Sequence, residues 1–222
     1  MKQFYLKYKH AIPLVIYALI YITWFLALEK RNISNYTIIH MKIDDYIPFC
    51  EFFIIPYFLW FAYVSAVVLY LFFTDKRDYH KVCLFLFTGM TIFLIVSTFF
   101  PNGQHLRPVF FPRDNVLTQL VRFLYRADTP TNVFPSIHVY NSIGAHIAIA
   151  KSSRLNNRKG IQIGSFILSL SIILSTVFLK QHSMFDVITA CIMAVIIYAV
   201  VYVIDYTSIA STAYHKRQNL ES

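Results

Sequence analysis

Six apolar blocks, at roughly 12–28, 49–73, 81–100, 135–150, 161–180 and 185–207, limit what this chain can fold into more than any other feature. Crossing the hydrocarbon of a bilayer takes about 20 residues of helix, and most of the blocks reach that length. Backbone groups inside lipid must find partners within their own segment, so the blocks read as helices and not as open strands. Composition agrees: 57% of residues are apolar and only 14% charged, where a soluble domain carries about a quarter charged. The expected fold is all-α, a polytopic membrane protein with six transmembrane helices in a single domain, 1–222.

The fourth block, PSIHVYNSIGAHIAIA, is short and polar for a spanning helix. The N-terminal MKQFYLKYKH resembles the start of a secretory signal, but the apolar run after it ends in LALEKR without a small-residue cleavage site. A retained first helix is expected. Cys50, Cys83 and Cys191 have neither metal-ligand nor disulfide spacing and read as small buried hydrophobes.

With six spans, both termini share one side with the loops near 74–81 and 151–160. That side carries Lys2, Lys7, Lys9, Lys76, Arg77, Lys81, Lys151, Arg154, Arg158, Lys159, Lys216 and Arg217, twelve of the 20 basic residues. Cytoplasmic loops are enriched in Lys and Arg, which places both termini in the cytoplasm; the plasma membrane is the expected location. The net charge of +9 is then a topology signal with affinity for anionic headgroups. The basic residues form no stripe, so nucleic acid is not an expected partner. Asn32-Ile33-Ser34 and Asn35-Tyr36-Thr37 match glycosylation sequons on the outer side.

The longest non-apolar stretch, 101–134, faces that outer side. Within it, Val116, Leu117, Leu120, Val121, Phe123 and Leu124 alternate with Gln119, Arg122 and Arg126 at the spacing of a short amphipathic helix. It is expected to lie at the interface, before the fourth span, with both arginines reaching to headgroups.

Three features converge on the same layer: Arg107-Pro108, then Pro135-Ser136-Ile137-His138, then His182 and Asp186 between the fifth and sixth spans. Ser136 is a good N-cap, and the N–H groups of Ile137, His138 and Val139 at a helix start form an anion site. His182 and Asp186 are four apart and share a face if the sixth helix has begun by then. A carboxylate on one imidazole nitrogen fixes the tautomer and prepares the other as base or nucleophile. Two histidines, one oriented by a carboxylate, beside Arg107, Lys180 and a helix N-terminus match what phosphoryl transfer requires. No carboxylate cluster is available for a metal, and no cofactor is implied. On the fourth block His138, Asn141, Ser142 and Ala145 form a polar stripe. It reads equally as a cleft for a lipid headgroup or as helix–helix hydrogen bonding.

The order Arg-Pro, Pro-Ser-x-His and Ser-x6-His-x3-Asp resembles the type 2 phosphatidic acid phosphatase superfamily. Here the pieces are Arg107-Pro108, Pro135-Ser136-Ile137-His138 and Ser175 to Asp186, within about 100–190. DTPTNVFPSIHV and STVFLKQHSMFDVI look closest to the branch near the inositol phosphorylceramide and sphingomyelin synthases. The resemblance implies an integral-membrane enzyme acting on lipid phosphate esters, with His182 the nucleophile, Asp186 its orienter and His138 the general acid. Arg107 and Ser136 would hold phosphoryl oxygens. Phe100, Ile137 and Thr176 stand where the family carries Lys, Gly and Arg; Lys180 could restore a charge, and Asn132 and Gln104 could add polar contacts. Fewer fixed cations favour a phosphodiester over a dianionic phosphomonoester, hence headgroup transfer at least as much as hydrolysis. The competing expectation is a six-helix transporter or channel using His138, His182 and Asp186 as a relay.

Overall fold

The computed structural model describes residues 9–31 and 35–204. The basic residues Lys2, Lys7, Lys216 and Arg217, the sequon at Asn32 and the end of the last apolar block lie outside them. The described residues are mostly helical, in seven α-helices: α1 Ile12–Glu29, α2 Ile54–Thr74, α3 Lys76–Phe99, α4 Val116–Ala127, α5 Ile137–Lys151, α6 Lys159–Phe178 and α7 Met184–Tyr198. Short 3-10 turns occupy Lys42–Asp45 and Glu51–Phe53, and a π-helical turn, Ala199–Val203, extends α7.

Helix boundaries follow local chemistry. Pro13 sits in the first turn of α1, where a missing N–H leaves no bond unmade. Asp75 alone separates α2 from α3, and its carboxylate caps α3 by accepting from Asp78 N at 3.0 Å. Asn115 and Thr118 form a reciprocal capping box on α4, as Ser183 and Asp186 do on α7.

Among the described residues, five helical segments are long and apolar enough to cross a membrane: Lys9–Glu29, Glu51–Thr74, Lys76–Phe99, Lys159–Phe178 and Met184–Val203. The expected fourth span forms α5, which has 15 residues. At 1.5 Å per residue it covers about 22 Å, short of the roughly 30 Å hydrocarbon layer. Nine of those residues are buried, because α5 is the central helix, packed against α2, α3, α6 and α7. It approaches α3 closely through two glycines. A Cβ at Gly89 would lie 2.1 Å from the Tyr140 ring, and one at Gly144 would lie 2.6 Å from Phe85. Tyr140 instead stacks on Phe85 with centroids 4.7 Å apart, and its hydroxyl donates to the Phe85 carbonyl at 2.8 Å. Small residues that admit close packing are how helices associate where lipid removes the hydrophobic drive. The α1 helix lies outside this centre, leaning on α3, with Leu28 its one buried residue. The three cysteines are free; Cys83 is buried, Cys50 and Cys191 half-buried.

One end of the bundle gathers the loops 35–53, 100–115, 128–136 and 179–183. Thr37–Ile38 pairs in parallel with Asn102–Gly103, and Gly103 bridges Thr131. The Asn102 side-chain oxygen accepts from Val133 N and Phe134 N, fixing the approach to α5. The α4 helix buries Val121 and Leu124 against Ile54, Tyr57 and Leu179, so it covers this end of α2 and the α6–α7 turn.

Candidate active site

The turn between α6 and α7 holds His182 by backbone geometry on both sides. The α6 helix closes with Lys180 N donating to Val177 O and Gln181 N to Thr176 O, the paired bonds of a Schellman closure. Lys180 takes the left-handed position, φ 54°, which glycine usually fills and which strains a side-chain-bearing residue by about 1–2 kcal/mol. His182 N also donates to Thr176 O at 3.0 Å. The next residue, Ser183, already caps α7.

His182 therefore precedes the helix and shares no helical face with Asp186, contrary to the simplest use of their spacing. The capping box joins them. Asp186, fully buried, accepts from Ser183 N at 3.0 Å, and the same oxygen lies 3.3 Å from His182 Nδ1. Across from His182, with ring centroids 5.8 Å apart, is His138 in the first turn of α5. Its imidazole packs between Tyr57 and Trp60, at 4.6 and 4.2 Å.

Both histidines line a cavity of about 680 Å³ between α1 and α2, with α3 behind it. Most of its wall is apolar, from residues such as Tyr21, Phe25, Val64, Val68, Phe87 and Met90. The polar end is made by Glu29, Asp128, Asn132, His138, Asn141, Gln181 and His182. Asn132 Oδ1, Asn141 Oδ1 and Gln181 Nε2 are buried there without a hydrogen-bond partner, and such atoms are rare unless a ligand or water meets them.

Of the other residues singled out in the sequence, Arg107, Lys180, Ser136 and Gln104 reach the same end of the bundle but face the protein. Arg107 donates from Nη1 to the carbonyls of Tyr125 and Asp128 at 3.0 and 2.9 Å. Its Nη2 donates to Thr129 O at 3.2 Å and Gln181 Oε1 at 2.6 Å. Burial lowers its pKa, a shift that Asp128 opposes. Lys180 Nζ donates to Asp44 O at 2.7 Å, and partial burial lowers its pKa as well. Neither residue lines the cavity. Ser136 is fully buried and caps α5 through Val139 N at 3.5 Å; Ile137 contributes to the cavity wall. Gln104 donates to Lys180 O and accepts from Leu106 N, and Asn132 donates to Glu29 Oε1 at 2.9 Å. The stripe on α5 divides: His138 and Asn141 line the cavity, while Ala145 belongs to the packed core and the Ser142 hydroxyl donates to His138 O.

Sequence reading passed over four residues here. Glu29 looked like the charged end of a span, yet its carboxylate accepts from Thr129 Oγ1 and Asn132 Nδ2 and faces the cavity. Asp128, whose carboxyl is pushed up by burial against the pull of Arg107, lies in the same end. Gln181 immediately precedes His182, at a position the motif leaves unspecified. Asp44 belonged to a loop with no motif. A carboxylate at the end of an apolar run was the available signal for Glu29. Among the described residues, no group of three or more His, Cys, Asp or Glu is placed to hold a metal ion. No protein-family model, curated protein or solved structure matches this chain.

Proposed function

We propose that this chain is an integral-membrane enzyme acting on lipid phosphate esters through a phosphohistidine at His182. The reading rests on one observation: an Asp186-oriented His182 faces His138 at the polar end of a long apolar-walled cavity. An apolar trough ending in a few polar groups suits a molecule with an acyl tail and a compact headgroup.

Asp186 on Nδ1 leaves His182 Nε2 with the lone pair. Nε2 attacks phosphorus, forming a P–N bond as the P–O bond to the departing alcohol breaks, and His138, which takes up a proton only beside the negative phosphate, gives that oxygen its proton. In the second step His138 removes the proton from water or a second alcohol, whose oxygen displaces His182 from phosphorus. Gln181 Nε2 is the unpartnered donor at hand for a phosphoryl oxygen, and Arg107 supports it by gripping Gln181 Oε1. With Glu29 and Asp128 at the same end and both nearby cations turned to carbonyls, a dianionic phosphomonoester is disfavoured. A phosphodiester with one negative oxygen fits better, so transfer of a phospho-headgroup to a lipid alcohol is favoured over phosphomonoester hydrolysis.

In the membrane, α5 completes a set of six crossings, its short length covered by the surrounding helices, and α4 lies in the interface. Both termini face the cytoplasm of a plasma-membrane protein, and the histidines face the opposite side. The test is incubation of purified protein with a panel of labelled lipids, with and without diacylglycerol, and identification of products by mass. Wild type should convert a phospholipid, and folded His182→Ala should not. Conversion by His182→Ala overturns the mechanism, and solute uptake by sealed proteoliposomes without lipid conversion favours a His/Asp relay in a transporter.

A further inference from the structure

The turn that carries His182 is gripped from a distant part of the chain. Asp44, in the 3-10 turn Lys42–Asp45, is 2% exposed. Its Oδ2 accepts from Ser183 Oγ at 2.5 Å and from Met41 N at 2.8 Å; its Oδ1 accepts from Met184 N at 2.8 Å. Its main-chain oxygen accepts from Lys180 Nζ. One residue thus holds both sides of His182, at 180 and at 183–184.

The bonds form a series. Asp44 fixes the Ser183 hydroxyl; the Ser183 hydroxyl accepts from Phe185 N at 3.1 Å; Ser183 N donates to Asp186; Asp186 meets His182 Nδ1. The capping box on α7 is therefore also the mount of the histidine, and its hydroxyl member is oriented from outside the helix. Without Asp44, Met184 N and Ser183 Oγ lose their acceptor in a buried site, and the N-cap is free to re-aim.

We propose that Asp44 is a positioning residue of the site, setting the Asp186–His182 contact through Ser183. This rests on His182 being the reactive group proposed above. It touches no reacting atom, so its removal should lower kcat and leave KM within about twofold. Misplacing a reacting group by about 1 Å lowers rate by roughly 100-fold, so Asp44→Ala is expected to lose between about 10- and 100-fold in kcat. Asp44→Asn keeps an oxygen for Met184 N and an amide that can donate to Ser183 Oγ while Met41 N loses its acceptor, so it should recover most of the loss in kcat but not all of it.

The decisive measurement needs no substrate. Full-length protein labelled with 15N-histidine is studied in detergent, with the His182 signals identified by their loss in His182→Ala. Wild type and Asp44→Asn should show one His182 tautomer, protonated at Nδ1, and Asp44→Ala a mixture. A single wild-type tautomer in Asp44→Ala, or a mixture in folded Asp44→Asn, overturns the proposal. If Asp44→Ala does not fold, Ser183→Ala breaks the same series one bond later and must give the mixture instead. Failure of the wild type to convert any lipid counts against the enzymatic reading and leaves the tautomer result to decide the role of Asp44.

Discussion

Replacing Arg107 with alanine separates two roles for its guanidinium. The wild-type group makes four hydrogen bonds, three to main-chain carbonyls in the 125–129 turn and one to Gln181, and it stacks 4.5 Å from the centroid of the Tyr125 ring. Hydrogen bonds to a charged group contribute about 1.5–3 kcal/mol each, but they share one guanidinium and some freed carbonyls can find water. The net loss should resemble leaving one or two buried acceptors unpaired, about 2–5 kcal/mol. In a chain of this size that lowers the melting temperature by roughly 10 °C. Arg107→Lys restores charge without the planar fork and should recover less than half of the loss. The assay is thermal unfolding in detergent, followed by dye labelling of the buried Cys83, alongside lipid conversion at a temperature where every variant is folded. If Arg107→Ala melts with wild type yet converts no lipid, the guanidinium acts on the ligand and the carbonyl clamp is incidental.

Gly89→Ala should destabilise by about 1–3 kcal/mol because its Cβ meets the Tyr140 ring. Gly164→Ala, on α6 with nothing within 4 Å of the added Cβ, should be neutral or stabilising by roughly 0.5–1 kcal/mol; equal melting shifts for the two would refute the close α3–α5 approach. Asp128 has a carboxyl raised by burial, so its contribution is full below the ordinary aspartate pKa of about 3.9 and is lost as pH rises through the raised folded value. Asp128→Asn should therefore match wild-type thermal stability in acid and equal or exceed it near pH 7. A variant less stable than wild type at pH 7 but not in acid reverses that sign.

The helices were legible because period and length survive without tertiary knowledge: the apolar runs at 12–28 and 81–100 became α1 and α3 with small shifts of boundary. Ser136 was legible as a cap because capping is local. The nearness of His182 and Asp186 was legible from four-residue spacing, but its cause was not, since the helix begins at Met184 and a capping box makes the contact. Destinations of charge were the hardest to foresee. Arg107 and Lys180 end on carbonyls exposed by turns that exist only after folding. Asp44 lies 139 residues before Ser183, and no local pattern encodes such a pairing. Glu29, Asp128 and Gln181 met at one cavity for the same reason. The central place of α5 follows from Gly89 and Gly144, whose meaning depends on which ring each one faces.

The α1 helix forms one wall of the cavity and is fastened to α3 along one face, with Trp24 Nε1 donating to Thr98 Oγ1 at 3.0 Å midway. Arg31 donates to the carbonyls of Ser97 and Thr98 at one end, and the Tyr17 hydroxyl donates to Phe87 O toward the other. Between these points its outward residues are exposed. If the chain acts on lipids as proposed, the tail would lie against this wall, while the headgroup would meet the fixed turn around His182. Selection by chain length and selection by headgroup would then reside in separate parts of the molecule. Residues on α1 could drift to suit a different membrane while the chemistry at the far end stays unchanged.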